Sequence, residues 1–207
     1  MSLIMAVSVP DGMVFSSDRR ITQSHSNGTT SYVDNTDKII PCGNNAILFC
    51  GNYMINNSRK TVFSFLKKFC KDHIDTPVCI LASDLLRAVA DVHMKGVMFY
   101  VAGYYDGIRY IYHIACDNST IQLPISNTQT GAVYCGQNSI VHSICADVDF
   151  ETTELATAIQ LAEFGVTATA DAYRFKREQC VGGGTDVYVM PADEDPYWYS
   201  HAGTYYR

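Results

Sequence analysis

Eight cysteines and six histidines give this 207-residue chain the material for a metal or redox centre. Three pairs have ligand-like spacing: Cys70-x-x-His73, His113-x-x-Cys116 and His142-x-x-Cys145. A structural zinc site needs four converging ligands, and no CxxC or HExxH supplies the other half. The pairs therefore read as ordinary core thiols and imidazoles, and no metal is expected. Gly182-Gly183-Gly184 invites comparison with a phosphate cradle. It lacks a GxxxxGKS/T or GxGxxG pattern and no helix follows, so it reads as a tight backbone turn, and no cofactor is expected. What remains near the start of the chain is a hydroxyl, a carboxylate and two cations: Ser2, Asp18, Arg20 and Lys38. Taken alone, Asp18 and Lys38 read as an ion pair at two strand ends.

Periodicity defines the elements that must position these groups. Residues 3 to 9 and 13 to 17 are apolar runs either side of Pro10-Asp11-Gly12, a hairpin signal. Residues 23 to 37 are rich in Ser, Asn, Thr and Gly and read as a loop or an exposed hairpin around Asn27-Gly28. A further hairpin joins residues 38 to 41 to residues 46 to 50 and runs out at Gly51-Asn52. The period then changes, because Val62, Leu66, Phe69, Cys70 and His73 recur at helical spacing. A second helix is expected from Ser83, as N-cap, to Gly96, with Val92 and His93 on its inward face. Residues 97 to 104 and 108 to 115 read as a hairpin, residues 117 to 130 as irregular, and residues 132 to 135 as a short strand. Helices are expected over 138 to 146 and 153 to 173, with a closing strand over 185 to 190. The aromatic tail from 191 to 207 reads as an interface arm or packed cover. Runs of strands followed by runs of helices argue for α+β layering over a parallel βαβ fold.

In this order the residues resemble the proteasome β-subunit family of N-terminal-nucleophile hydrolases, which includes the bacterial HslV peptidase. The matching stretches are Ala6-Val7, Asp11-Gly12-Met13-Val14 through Asp18-Arg19-Arg20, and Asp37-Lys38-Ile39-Ile40-Pro41. Val101-Ala102-Gly103-Tyr104 with Tyr110-Ile111-Tyr112 and Gly182-Gly183-Gly184 before Asp186-Val187-Tyr188-Val189 complete them. The resemblance implies a four-layer αββα sandwich and cleavage of peptide bonds through an acyl-enzyme. It places Ser2 where the family has its catalytic threonine. With Met1 removed, the Ser2 hydroxyl would be the nucleophile and its own α-amine, with an ordinary pKa of about 7.7 to 8, the general base.

The same resemblance has Lys38 favour the attacking alkoxide and the neutral amine by its charge, and has Asp18 hold that lysine. Backbone N–H groups around Gly51 and Asn52 would form the oxyanion hole, and Arg20 would support the site from behind. The Asp18 to Lys38 interval is longer than usual in the family, through an extended Ser24 to Tyr32 loop. Two supporting turns also differ. Cys135-Gly136-Gln137-Asn138 stands for Gly-Ser-Gly, and Glu178-Gln179-Cys180-Val181-Gly182-Gly183 for Asp-x-x-Ser-Gly-Gly, so Glu178 would replace the aspartate while Val181 brings no hydroxyl. Two other readings share the resemblance: a non-catalytic assembly subunit with a capped N-terminus, and an amidase of the wider group acting on a small amide.

Composition narrows the classes. At 47% hydrophobic and 17% charged the chain is too apolar to stay disordered, and its length suits a single domain over 1–207. A formal charge of −6 offers nothing to a phosphate backbone, which argues against nucleic acid. Charged residues interrupt every apolar run well short of the ~18 residues that cross a bilayer. The first nine residues lack the length and cationic flank of a signal peptide. The expected location is therefore cytoplasmic, where thiols stay reduced. The expected partners are a peptide or unfolded polypeptide substrate and further copies of the chain, in a ring or other homo-oligomer.

Overall fold

The computed structural model describes residues 2–25, 27–55 and 60–199. In chain order its elements are β1 (Leu3–Val9), β2 (Gly12–Asp18), β3 (Ile21–Ser24), β4 (Thr30–Val33), β5 (Ile39–Cys42) and β6 (Asn45–Gly51), then α1 (Val62–Asp72) and α2 (Val78–Asp91). They continue with β7 (Val97–Tyr105), β8 (Ile108–Ala115), β9 (Thr120–Asn127), β10 (Gly131–Gly136), α3 (Ser139–Cys145), α4 (Leu155–Tyr173), β11 (Thr185–Pro191) and β12 (Tyr197–Tyr199). Two compact units form, one from Met1–Lys38 with Gly131–Arg207, the other from Ile39–Thr130.

In the first unit a five-stranded antiparallel sheet runs β10-β1-β2-β11-β12. Its two central strands, LIMAVSV and GMVFSSD, are buried along their whole length. The inward stripe of α4, Ala158, Ile159, Ala162 and Val166, packs on Leu3, Met5, Val7, Val14, Val187 and Val189. Small residues on that stripe bring the helix backbone close enough for Ser16 Oγ to donate to the Ala162 carbonyl at 2.8 Å. Each fully buried valine, leucine or methionine side chain there contributes about 1.5–3 kcal/mol. β3 and β4 form a separate two-stranded sheet around Asn27-Gly28, the hairpin form of the sequence expectation.

In the second unit the sheet runs β5-β6-β7-β8-β9, again antiparallel. Thr61 and Ser64 make a reciprocal capping box that starts α1. Val62, Leu66 and Phe69 of α1 and Leu81, Leu85 and Val89 of α2 pack on Ile47, Phe49, Phe99, Val101 and Ile114.

The four-layer αββα sandwich is not what the chain displays. Among the described residues there are three antiparallel sheets, twelve strands in all, with four helices. One source of the difference is the polar segment after β2, which builds a sheet of its own. Another is the segment 117 to 130, expected to be irregular, within which Thr120–Asn127 pairs with β8 as β9. Pro124 concealed that strand, and an edge strand is where a sheet tolerates proline.

The second helix starts at Val78, after Pro77, whose φ of −56° is already helical, so Ser83 is interior and its Oγ donates to the Cys79 carbonyl at 3.1 Å. That helix ends at Asp91, and His93, at φ 52°, turns the chain so that Met94 enters the core. Val92 and His93, expected inward, are exposed. The tail contributes β12, with the Trp198 ring 4.9 Å from that of Tyr188, while residues 200–207 lie outside the described residues. No described helix is long and apolar enough to cross a membrane.

Candidate active site

Asp18 closes β2 and is fully buried, so its charge must be met by partners. Four groups converge on its carboxylate. Oδ1 accepts the Leu3 N–H at 2.8 Å and the Lys38 Nζ at 2.6 Å. Oδ2 accepts the Arg20 N–H at 3.2 Å and the Gly182 N–H at 3.3 Å. Lys38 is 2% exposed and also donates to the Arg20 carbonyl at 2.7 Å. Because one oxygen holds both Leu3 N–H and the ammonium, Lys38 lies within two hydrogen bonds of the Ser2–Leu3 peptide. Three residues far apart in sequence, Ser2, Asp18 and Lys38, are thereby brought together.

Ser2 is itself buried, and its carbonyl accepts the Gln137 N–H at 2.9 Å. A Cβ at Gly136 would fall 1.9 Å from that carbonyl oxygen, so glycine is what lets the turn after β10 approach so closely. The Gln137 side chain is in turn held by the Tyr173 hydroxyl, which donates to its Oε1 from the last turn of α4. The Tyr173 hydroxyl thus steadies Gln137, whose backbone N–H holds the Ser2 carbonyl. Met1 lies outside the described residues.

Arg20 sits against the same group. Its Nε and Nη2 donate to Asp34 Oδ1 and Oδ2 at 2.6 and 2.5 Å, and its Nη1 donates to the Gln179 carbonyl at 3.0 Å. The guanidinium beside Asp34 holds that carboxyl below the usual aspartate range. Glu178 lies exposed on the bend after α4, and the donor that reaches Asp18 from that segment is the Gly182 N–H. Gly51 and Asn52 belong to the second unit and are exposed. The Asn52 N–H donates to the Gly96 carbonyl at 2.7 Å and is already taken.

A cleft of about 1180 Å3 flanks the Arg20 side of the site, lined by Arg19, Arg20, Asp34, Gly183, Asp186 and Trp198 among others. Burial pushes the Asp186 carboxyl up, and Arg19 Nε, 3.6 Å away, pulls it partly back. Asp34 and Tyr173 did not stand out in the sequence as site residues, and Gln137 did so only as part of the Cys135-Gly136-Gln137-Asn138 turn. Tyr173 was within reach through the helical period of α4, but nothing distinguished Asp34 from Asp37 in a polar stretch.

No protein-family model matches the chain, and no curated protein matches it in sequence. Solved structures do. Anbu, an ancestral β-subunit, from Yersinia bercovieri has a TM-score of 0.71 at 19% identity, over 96% of this chain and 87% of that one. The chain has the Anbu fold. A helical assembly of the Anbu complex from Pseudomonas aeruginosa gives a TM-score of 0.73 at 17% identity, covering 95% and 85% of the two chains. An Anbu mutant from Hyphomicrobium sp. strain MC1 gives 0.67 at 14%, covering 100% and 85%. The Anbu fold is proteasome-like but its family is distinct from HslV, which corrects the HslV-like expectation. Most of the stretches behind that expectation surround Asp18, Lys38 and Gly182, and such short matches do not separate families that share a fold.

Proposed function

We propose that the chain is a proteasome-like N-terminal-nucleophile peptidase with Ser2 as its nucleophile. The observation that carries this is the buried Asp18 carboxylate, one oxygen of which binds both the Lys38 ammonium and the amide that follows Ser2. With Met1 removed, Ser2 Oγ attacks the scissile carbonyl carbon and its proton passes to the Ser2 α-amine. That amine then protonates the departing amine of the substrate, leaving an acyl ester on Oγ, and water releases the acid by the reverse proton path. Lys38 lowers the energy of the alkoxide and disfavours protonation of the α-amine, both through charge held in a site that water does not screen. Asp18 fixes the lysine, and the Gln137–Tyr173 pair fixes the Ser2 backbone. Self-assembly into a homo-oligomer is part of the proposal, supported by the helical assembly of the Pseudomonas aeruginosa Anbu complex.

The test is capture by an electrophile selective for an N-terminal nucleophile, followed by mass mapping. The expected result is one adduct on Ser2 of the chain lacking Met1, and a much slower one in Lys38→Met. Absence of any adduct on a chain with a free Ser2 amine overturns the proposal.

A further inference from the structure

We propose that Asp34 is a positioning residue: through Arg20 it holds the backbone acceptor of Lys38 and both donors to Asp18 Oδ2. The inference rests on the peptidase reading for its consequence in catalysis, though not for its geometry. The backbone of Arg20 touches both charged partners, because its carbonyl accepts from Lys38 Nζ at 2.7 Å and its N–H donates to Asp18 Oδ2 at 3.2 Å. The place of that backbone therefore sets where the ammonium rests.

The Arg20 side chain is staked on every side. Asp34 takes two of its nitrogens in a fork and the Gln179 carbonyl takes the third. The Tyr32 ring lies 4.9 Å from its guanidinium carbon, and the Tyr32 hydroxyl accepts the Gln179 N–H at 3.2 Å. A bidentate arginine–carboxylate pair adds direction as well as energy, which an ammonium or a single bond would not.

The glycine run explains itself against this pair. A Cβ on Gly182 would fall 2.9 Å from Arg20 Cζ, and a Cβ on Gly183, at φ +78°, would fall 2.9 Å from Asp34 Cβ. The ion pair thus lies flush against bare backbone, and the run is pressed to the position from which Gly182 N–H reaches Asp18 Oδ2. The two carboxylate oxygens of Asp18 differ accordingly. Oδ1 has short bonds to Leu3 and Lys38, whereas both donors on Oδ2 belong to residues that Asp34 holds. Asp34 follows β4 directly, so the β3–β4 hairpin delivers the brace to Arg20.

The experiment uses the full chain and compares wild type with Asp34→Asn and with Gly183→Ala, which displaces the brace without changing any charge. Amide hydrogen exchange is the first readout. The expected result in both variants is at least tenfold faster exchange at Arg20 and Gly182, with Leu3 and the β1–β2 ladder unchanged. Asp34→Glu, which keeps a carboxylate, recovers part of the protection. Unchanged exchange at Arg20 and Gly182, or an equal acceleration across β1 and β2, overturns the proposal. The second readout is the rate of electrophile capture at Ser2 against pH. Asp34→Asn is expected to slow capture at least tenfold and to move its midpoint to higher pH, because a displaced Lys38 repels the protonated α-amine less. An unmoved midpoint beside selective exchange overturns the catalytic role. A wild type that is never captured refutes the peptidase reading, while the exchange pattern still decides the brace.

Discussion

Breaking the Asp18–Lys38 pair from its two ends should have unequal costs, and the inequality follows from the partners each end keeps. In Asp18→Asn the side chain keeps its shape, so its carbonyl takes the place of Oδ1 and accepts from Leu3 and Lys38. Its amide then meets the Arg20 and Gly182 N–H groups, donor against donor, where Oδ2 had accepted at 3.2 and 3.3 Å. Lys38, 2% exposed, is left charged without a counter-charge on Asp18. Loss of one partner of a buried pair costs about 3–5 kcal/mol, and two opposed donors place Asp18→Asn at the upper end. Lys38→Met leaves the carboxylate with three backbone N–H donors and fills the lysine's space with an apolar chain, so it should fall at the lower end. In the double variant the stranded charge is gone, and its cost should be less than the sum by at least about 1 kcal/mol.

The molecule supplies its own probe for this, since its single tryptophan, Trp198, is in the same unit and packs on Tyr188. Urea unfolding followed by tryptophan fluorescence therefore reports the unit that holds the pair. With a slope of about 2 kcal/mol per molar urea, the single variants should move the midpoint down by about 1.5–2.5 M. If Lys38→Met costs as much as Asp18→Asn, or if the two costs add, the accounting of partners is wrong.

Other outcomes follow from the same geometry. Burial raises the Asp186 carboxyl, so the native state binds its proton more tightly than the unfolded chain does. That contribution is complete below about pH 3.9 and is lost as pH rises through the folded value. Asp186→Asn should therefore be the more stable protein at pH 7 in thermal melts, with the gain vanishing near pH 3. Asp34 has the opposite sign, its bond to Arg20 contributing above about pH 3.9 and fading as pH falls through the lowered folded value. Exchange at Gly182 should accelerate there before the β1–β2 ladder opens. Among the eight thiols, all free, Cys79 is the one not buried, and Cys116 is pushed up to about 12 by burial. Titration of the native protein with a disulfide reagent should show one fast thiol and seven slow ones, whereas several fast thiols would refute the described packing.

Legibility in the sequence tracked the range of the interactions. Hairpins at Asp11-Gly12 and Asp106-Gly107 and the apolar periods of α1 and α4 are local, and local chemistry writes them plainly. β9 was not legible because its pairing with β8, not its own composition, makes it a strand. The start of α2 was misread because Ser83 looks like a cap, although Pro77 fixes the first turn. Lys38 and Asp18 stood out through their order along the chain. Asp34 did not, because its importance lies in a guanidinium that only the folded hairpin places against it. Gly182-Gly183-Gly184 was read as a turn, yet the reason for glycine there is a pair of side chains more than 140 residues earlier, as the Arg20 to Gln179 separation of 159 residues illustrates.

The first unit is assembled from two ends of the chain, with Ile39–Thr130 made in between. Strands β1 and β2 leave the ribosome early, but β10 and β11, which flank them, come long afterwards. The Asp18 carboxylate receives its Gly182 donor from 164 residues downstream. The second unit is continuous and its contacts are local enough to fold while synthesis proceeds, whereas the first must wait for its distant half. Translation therefore acts as a timer: the charged cluster beside Ser2 cannot be completed on a partial polypeptide. If the proposed peptidase reading holds, a nascent chain of this protein emerges without a working site.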